Sequence, residues 1–210
     1  VSSPLLPAAV NITEYETQFR VHFGTGHKTG FFCDQRENRK RLADLCHDKT
    51  VLDLCCYTGG FSIQAARLGG AAEVTGVDLD ESPLAMATKN ANINHVRCRF
   101  IQEDAFAFIR DMQRIGRQYD VVVLDPPKLI RNRAELEEGT RKHADLNRLA
   151  MQLVKPGGVM LSCSCAGLLP EETFVGLIRS AARASGYTDE GSPLPPRHVQ
   201  IFSRHGAAAD

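Results

Sequence analysis

Five apolar runs in this sequence each close on a residue type that can do chemistry. "TVLDLCC" carries Asp53, "AEVTGVDLD" reaches Asp78, "RFIQED" ends at Asp104, "DVVVLDPPK" ends at Asp125 and Lys128, and "VMLSCSC" ends at Cys163 and Cys165. A carboxylate can accept the two hydroxyls of a ribose, the amino group of a purine, or a proton. A thiol that ionises is a nucleophile.

The turns after these runs narrow the ligand. Tyr57-Thr58-Gly59-Gly60-Phe61 follows the first run. Its glycines let the backbone approach a ligand, and the helix beyond presents unpaired N–H groups. Asp53 could hold an ammonium group or orient this turn. Asp78 stands where a carboxylate takes a ribose in open α/β sheets. Asp80, just beyond it, reads as a helix cap. Asp104 could accept from an adenine amino group, flanked by Ala105 and Phe106, or could cap its own helix. Pro126 and Pro127 stiffen the backbone and remove two N–H donors, which points Asp125 at a substrate with Lys128 beside it. Neither G-x-G-x-x-G nor G-x-x-x-x-G-K-[ST] occurs, so a dinucleotide or nucleoside triphosphate is not expected. A ligand with a ribose and an adenine but no pyrophosphate is, and S-adenosyl-L-methionine meets that description.

These residues need a scaffold that aligns strand ends. From residue 50 onward, continuous Val/Ile/Leu runs alternate with helical stretches, which predicts an α/β fold: a doubly wound, mostly parallel sheet covered on both faces. "FSIQAARLG", "SPLAMATKNANIN", "AFAFIRDMQRIG", a stretch from about Arg133 to Val154 and "PEETFVGLIRSAARASG" read as its helices. Ser82-Pro83 reads as the N-cap and first-turn proline of the second. "KPGG" should break the fourth before the strand "VMLSCSC". Residues 11–33 read as β structure turning at "GTGHKTG", a basic helix follows from about Gln35 to Cys46, and "VQIFSRHG" suggests a sixth strand. The division expected is 1–34 as an N-terminal hairpin extension and 35–210 as the main domain.

Composition excludes some classes. The chain has 210 residues, 43% hydrophobic and 24% charged, as one globular domain with an appendage would. No apolar run approaches the ~18 residues of a membrane helix, and the start lacks the pattern of a signal peptide. Lys plus Arg and Asp plus Glu number 25 each, so nucleic-acid binding would have to use local patches. Seven cysteines without scaffold spacing read as reduced thiols of a cytoplasmic protein. A start at Val1 suggests a piece of a longer protein.

The stretches "GHKTGFFCDQRENR", "VLDLCCYTGGF", "DVVVLDPPK" and "LSCSCAGLL" resemble class I S-adenosylmethionine-dependent methyltransferases, and more narrowly the large-subunit ribosomal-RNA methyltransferases that make 5-methylcytosine. The resemblance spans residues 26 to 169. It implies a Rossmann-like methyltransferase sheet, an RNA substrate, and an N-terminal PUA-like RNA-binding domain that this sequence lacks. It also places Phe32 and Arg36 near the cofactor. The cofactor set read here is Phe32, Arg36, Asp53, Tyr57, Thr58, Gly59, Phe61, Asp78, Leu79, Asp104, Ala105 and Asp125.

For such an enzyme the thiol would add to carbon six of cytosine, making carbon five nucleophilic toward the donor methyl. Cys163 matches the family's Ser-Cys-Ser. Cys165, which intervenes where the family continues into Gly-Leu, is the alternative, and in a strand the two would share a face. Asp125 would hydrogen-bond the ring, and Lys128 would steady a phosphate or the carboxylate. Core filling is the bland reading of the pair; a zinc site would want a wider spacing and a second pair of ligands. Cys55 and Cys56 read as core or pocket lining, and Cys33, Cys46 and Cys98 as structural. "QRENRKR" and the group Arg131, Arg133, Arg141 and Lys142 could hold an RNA backbone or be solvated helix faces. Transfer to a base nitrogen, which needs no thiol, and a non-catalytic cofactor- or RNA-binding module are the competing functions.

Overall fold

The structure is a computed structural model that describes residues 7–23, 30–187, 191–194 and 198–206. Its centre is a parallel sheet of β3 (Thr50–Leu54), β4 (Glu73–Asp78), β5 (Arg99–Gln102), β6 (Tyr119–Leu124) and β7 (Val154–Ser162), in the order β5-β4-β3-β6-β7. Helices α2 (Gly60–Arg67), α3 (Glu81–Ile93), α4 (Ala105–Arg114) and α5 (Leu136–Gln152) cross between successive strands, and α6 (Glu171–Ala184) follows the last. The expected doubly wound sheet is therefore present. Val51, Leu52, Leu54, Val122, Val123 and Leu124 are all fully buried, because β3 and β6 are covered on both faces. Two apolar clusters result: one joins the strands to α4 and α5, the other joins them to Leu42, Phe61 and Ala65.

Strand register positions the site. Leu54 pairs with Val77 and Leu124, and Leu124 with Ser162, so these strands end at one level. Backbone bonds carry the alignment one step further: Cys56 N–H donates to Val77 O, Asp125 N–H to Leu54 O, and Cys163 N–H to Leu124 O at 2.9 Å.

The N-terminal sheet is a hairpin of β1 (Ala9–Glu14) and β2 (Thr17–His22), with Glu14 paired to Thr17. Its turn is Tyr15-Glu16, not the Gly-rich segment. Tyr15 takes the left-handed conformation (φ 52°), which a tyrosine rarely signals in sequence. Residues 24–29 of that Gly-rich segment, and with them Lys28 and Thr29, lie outside the described residues. Phe19, Val21 and Phe31 pack with Ile63 of α2 and Ala91 of α3. Asn90 on α3 and Asn94 at its C-terminal cap accept the backbone N–H groups of Arg20 and Gln18.

Several boundaries differ from the sequence reading. Helix α1 is shorter than expected, Arg36–Ala43, behind a 3-10 turn over Cys33–Gln35. Arg133–Glu135 is likewise a 3-10 turn ahead of α5. β7 begins at Val154, and "KPGG" is an irregularity within it, between the pairings Tyr119–Val154 and Val121–Val159. Helix α3 starts at Glu81, so Ser82 lies inside it rather than capping it. Residues 198–206 form no strand; Val199 to Gly206 instead line a groove along the open edge of β7.

Candidate active site

All the strand-end residues read from the sequence reach one rim, in two groups. The first surrounds the turn after β3. Asp53 is buried, and its Oδ2 accepts from both the backbone N–H (2.9 Å) and the hydroxyl (2.7 Å) of Ser62 in α2. Its Oδ1 is buried without a donor. Cys55, Tyr57 and Gly59 all adopt left-handed φ values, of 61°, 49° and 80°. Such a turn exposes backbone N–H groups, and one of them, on Tyr57, donates to Asp78 Oδ2 at 2.8 Å. Asp78 Oδ1 accepts from the Asp80 N–H. Gly59 is required twice over: its φ is left-handed, and a Cβ there would stand 3.0 Å from that of Ala87. Leu79 is 63% exposed beside Asp78. Asp104 caps α4 by accepting from the Ala107 N–H, with its carboxylate exposed.

The second group is at the ends of β6 and β7. The Cys163 thiol lies against the Asp125 carboxyl group and Gln35, close enough for both to shift its ionisation. Gln35 Nε2 also lies 3.4 Å from Asp125 Oδ2. Burial, reinforced by the carboxylate of Asp34, pushes Asp125 up to about 6 against the opposing pull of the Arg39 charge, the Cys163 thiol and Gln35. Burial also drives the Cys163 thiol well above its ordinary range, and the negative charge of Asp125 adds to this. Lys128 is exposed and, among the described residues, makes no hydrogen bond or ion pair.

Phe32 links the groups: its ring meets Tyr57 edge-on, with centroids 5.2 Å apart. The loop from Phe32 to Gln35 is held by Arg39. This guanidinium is buried, donates to both carboxylate oxygens of Glu14 in the hairpin, and donates to Phe32 O at 3.0 Å. Arg39 therefore does not belong to a phosphate-binding face, contrary to the reading of "QRENRKR". Arg36 pairs with Glu37 and Lys40 with Asp44. Arg141 and Lys142 pair with Glu137 and Glu138 along α5, as a solvated helix face would.

Other assignments also change. Cys163 and Cys165 do not share a face, because β7 ends at Ser162; Cys163 is buried and Cys165 exposed. Cys33 is exposed rather than structural, and none of the seven cysteines is in a disulfide. Phe61 turns into the core beneath α1. Ala105 and Phe106 pack on the core, and Phe106 lines a separate cleft with Arg110, Asp145 and Arg148. The reading missed Ser62 and the contact of Gln35 with Asp125. Both are neutral residues; Gln35 lies 90 residues from Asp125, whereas Ser62 is nine from Asp53, in the first turn of the helix after a glycine pair, where a buried carboxylate finds donors.

The family of S-adenosylmethionine-dependent methyltransferases matches residues 3–185. The chain belongs to this family. A protein named ribosomal RNA large subunit methyltransferase I from Tolumonas auensis is 41% identical over 188 residues, covering 88% of this chain and 45% of that protein. Its namesake from Klebsiella pneumoniae is 37% identical, covering all of this chain and 50% of its own. The methyltransferase chain thus spans about half the length of these curated relatives. The crystal structure of SMU.776 complexed with SAH superposes with a TM-score of 0.77 at 27% identity, over 86% of this chain and 48% of that one.

The residues of this methyltransferase fit its cofactor. Asp78, Asp125, Asp53 and Asp104 all raise the Cys55 thiol electrostatically, behind the larger effect of burial, so four carboxylates converge on one turn. S-adenosylmethionine carries a sulfonium and an ammonium, which this negative basin complements. Burial pushes Asp53 up to about 7, with Asp125 and Asp78 adding to the rise against the Ser62 bonds. Its unmet Oδ1 suits a cationic donor. No described helix is long and apolar enough to cross a membrane.

Proposed function

We propose that this chain transfers a methyl group from S-adenosylmethionine to carbon five of a cytosine in large-subunit ribosomal RNA, through a covalent bond to Cys163. Residues 35–210 form the transfer unit and residues 1–34 its hairpin extension. The observation that carries the reading is the contact between the Cys163 thiol and the Asp125 carboxyl group at the rim beside the turn after β3. The relatives' names supply the RNA substrate, which agrees with a cytoplasmic site of action.

When bound, S-adenosylmethionine supplies an electrophilic methyl group on a sulfonium. Asp78 would take the ribose hydroxyls with the lone pairs left over from Tyr57 and Asp80, Leu79 would cover the ribose, Asp104 would offer its exposed carboxylate to the adenine, and Asp53 would balance the ammonium. Cys163 sulfur bonds to carbon six of the cytosine while its proton passes to the Asp125 carboxylate. A protonated Asp125 then donates to ring nitrogen three, which stabilises the enamine and makes carbon five nucleophilic. With a value of about 6, Asp125 exchanges this proton near neutral pH. Loss of the carbon-five proton to a base reforms the ring double bond and expels the thiolate. Lys128, Arg131 and Arg133, all exposed near the rim, hold phosphates.

The raised Cys163 thiol gives a second reading some footing, because transfer to a base nitrogen needs no thiolate. Tritiated S-adenosylmethionine with ribosomal RNA separates the two. Cys163→Ser abolishes label transfer in the first case and spares it in the second.

A further inference from the structure

A buried polar pair on α5 serves no contact in the mechanism above. His143 and Asn147 are 1% and 0% exposed, one helical turn apart, on the face that packs against β7. Asn147 Oδ1 accepts the Ser162 hydroxyl at 2.6 Å, and His143 Nε2 stands 3.4 Å from the Ser164 hydroxyl. Asn147 Nδ2 donates to His143 O at 2.7 Å, and the His143 ring packs edge-on against Phe174 of α6.

The spacing matches. Residues four apart on a helix rise about 6 Å, and residues two apart on an extended chain advance about 6.6 Å. Two helix side chains can therefore hold two alternate chain positions. Ser162 and Ser164 turn toward α5, and Cys163 between them turns the other way, toward Gln35 and Asp125. The Ser164 oxygen also accepts the Ala166 N–H, which turns the chain away beyond it. β7 has already ended at Ser162, so past the Cys163 N–H bond to Leu124 O the sheet no longer fixes this backbone.

His143 is not an economical core residue. Its Nδ1 is buried without a partner, a free-energy cost that an apolar side chain would avoid. Burial also lowers its basicity, so the ring is neutral at pH 7 and presents one acceptor and one donor nitrogen.

We propose that His143 and Asn147 are positioning residues: through Ser164 and Ser162 they clamp the two neighbours of Cys163 and so fix the direction of its sulfur toward Asp125. This rests on the reading of Cys163 as the nucleophile. The test compares His143→Leu, His143→Gln and Ser164→Ala, and the double variant His143→Leu/Ser164→Ala. Each is measured for thermal unfolding, cofactor affinity by calorimetry, the rate of covalent capture on 5-fluorocytidine RNA, and the rate of iodoacetamide alkylation mapped to Cys163.

The expected result is a capture rate lowered about 10–100-fold in His143→Leu, with cofactor affinity unchanged and partial rescue in His143→Gln. The Cys163 alkylation rate should change in the same variants. The double variant should be no slower than the worse single one, because both remove one contact. Normal capture and alkylation rates in His143→Leu overturn the clamp, as does a loss that tracks unfolding alone. Should His143→Leu fail to fold, Ser164→Ala decides alone, and a normal rate there sinks the proposal. Failure of the nucleophile reading looks different: Cys163→Ser would keep transferring methyl.

Discussion

β6 carries an aspartate near each end, and the two are treated in opposite ways. At the amino end, Asp120 Oδ2 accepts from the Thr50 N–H, the Thr50 hydroxyl and the Lys155 ammonium, at 2.7–2.9 Å. These bonds, led by the Thr50 N–H, hold it well below the ordinary carboxylate range. At the carboxyl end, Asp125 has a thiol and one long amide contact, and burial lifts it to about 6. Asp53, next to it on β3, is lifted to about 7. One end of the sheet satisfies its carboxylate and gains stability. The other leaves its carboxylates short of partners, an arrangement that disfavours the bare fold and favours a ligand that brings donors or positive charge. The same residue type thus marks a fastening at one end and a site at the other, and only its partners tell which.

The contrast can be broken at several points. Cys163→Ser should reduce methyl transfer by at least about 10³-fold with cofactor affinity unchanged, read by label transfer and calorimetry. Asp125→Asn should lower transfer by about 10²-fold while the melting temperature holds or rises, since a buried carboxylate is removed.

Asp120→Asn should do the reverse. Activity should persist at permissive temperature while stability falls by about 1–2 kcal/mol, allowing for its partial exposure. That is a drop of about 2–8 °C for a domain of this size. Because the folded-state value of Asp120 is depressed, its contribution is present above the unfolded value and is lost as pH falls through the folded one. Acid unfolding of the variant should accordingly be shallower.

Asp53 has the opposite sign. Its folded value of about 7 exceeds the unfolded one, so the folded chain holds its proton up to neutrality. A cationic ligand prefers the ionised form. Cofactor affinity should therefore rise with pH, by up to about tenfold per unit, and level off above pH 7. Asp53→Asn should flatten that profile, and calorimetry in buffers of different ionisation enthalpy should show proton release on binding to the unaltered chain below pH 7. Lys128→Ala should have the smallest effect, about a threefold rise in KM for RNA with kcat unchanged, because an exposed cation on a phosphate is screened.

Much of this was legible in the sequence. Continuous apolar strands announce a parallel sheet, a parallel sheet puts its site beyond the carboxyl strand ends, and Asp53, Asp78, Asp104, Asp125 and Cys163 all stand there. Residues whose role comes from packing were harder to read. Arg39 looked like one of a run of surface cations, yet Arg39, Leu42, Ala43 and Cys46 recur at helical spacing and are all buried. That periodicity, read ahead of charge, would have moved Arg39 inward. His143 and Asn147 fall on the same face as Leu146 and Ala150, and polar residues in a core stripe were the available sign of the clamp. Gln35 gave no such sign; its contact with Asp125 depends on a loop held by Arg39 and a hairpin residue, Glu14. The Tyr15-Glu16 turn went unread because nothing in its residue types asks for a left-handed φ.

The central claim is tested most directly by incubating the protein with S-adenosylmethionine and RNA containing 5-fluorocytidine, then digesting the complex and mapping the linked residue by mass spectrometry. A stable adduct on Cys163 is the predicted result. An adduct on Cys165, or methyl transfer to a base nitrogen with no adduct, would contradict the account.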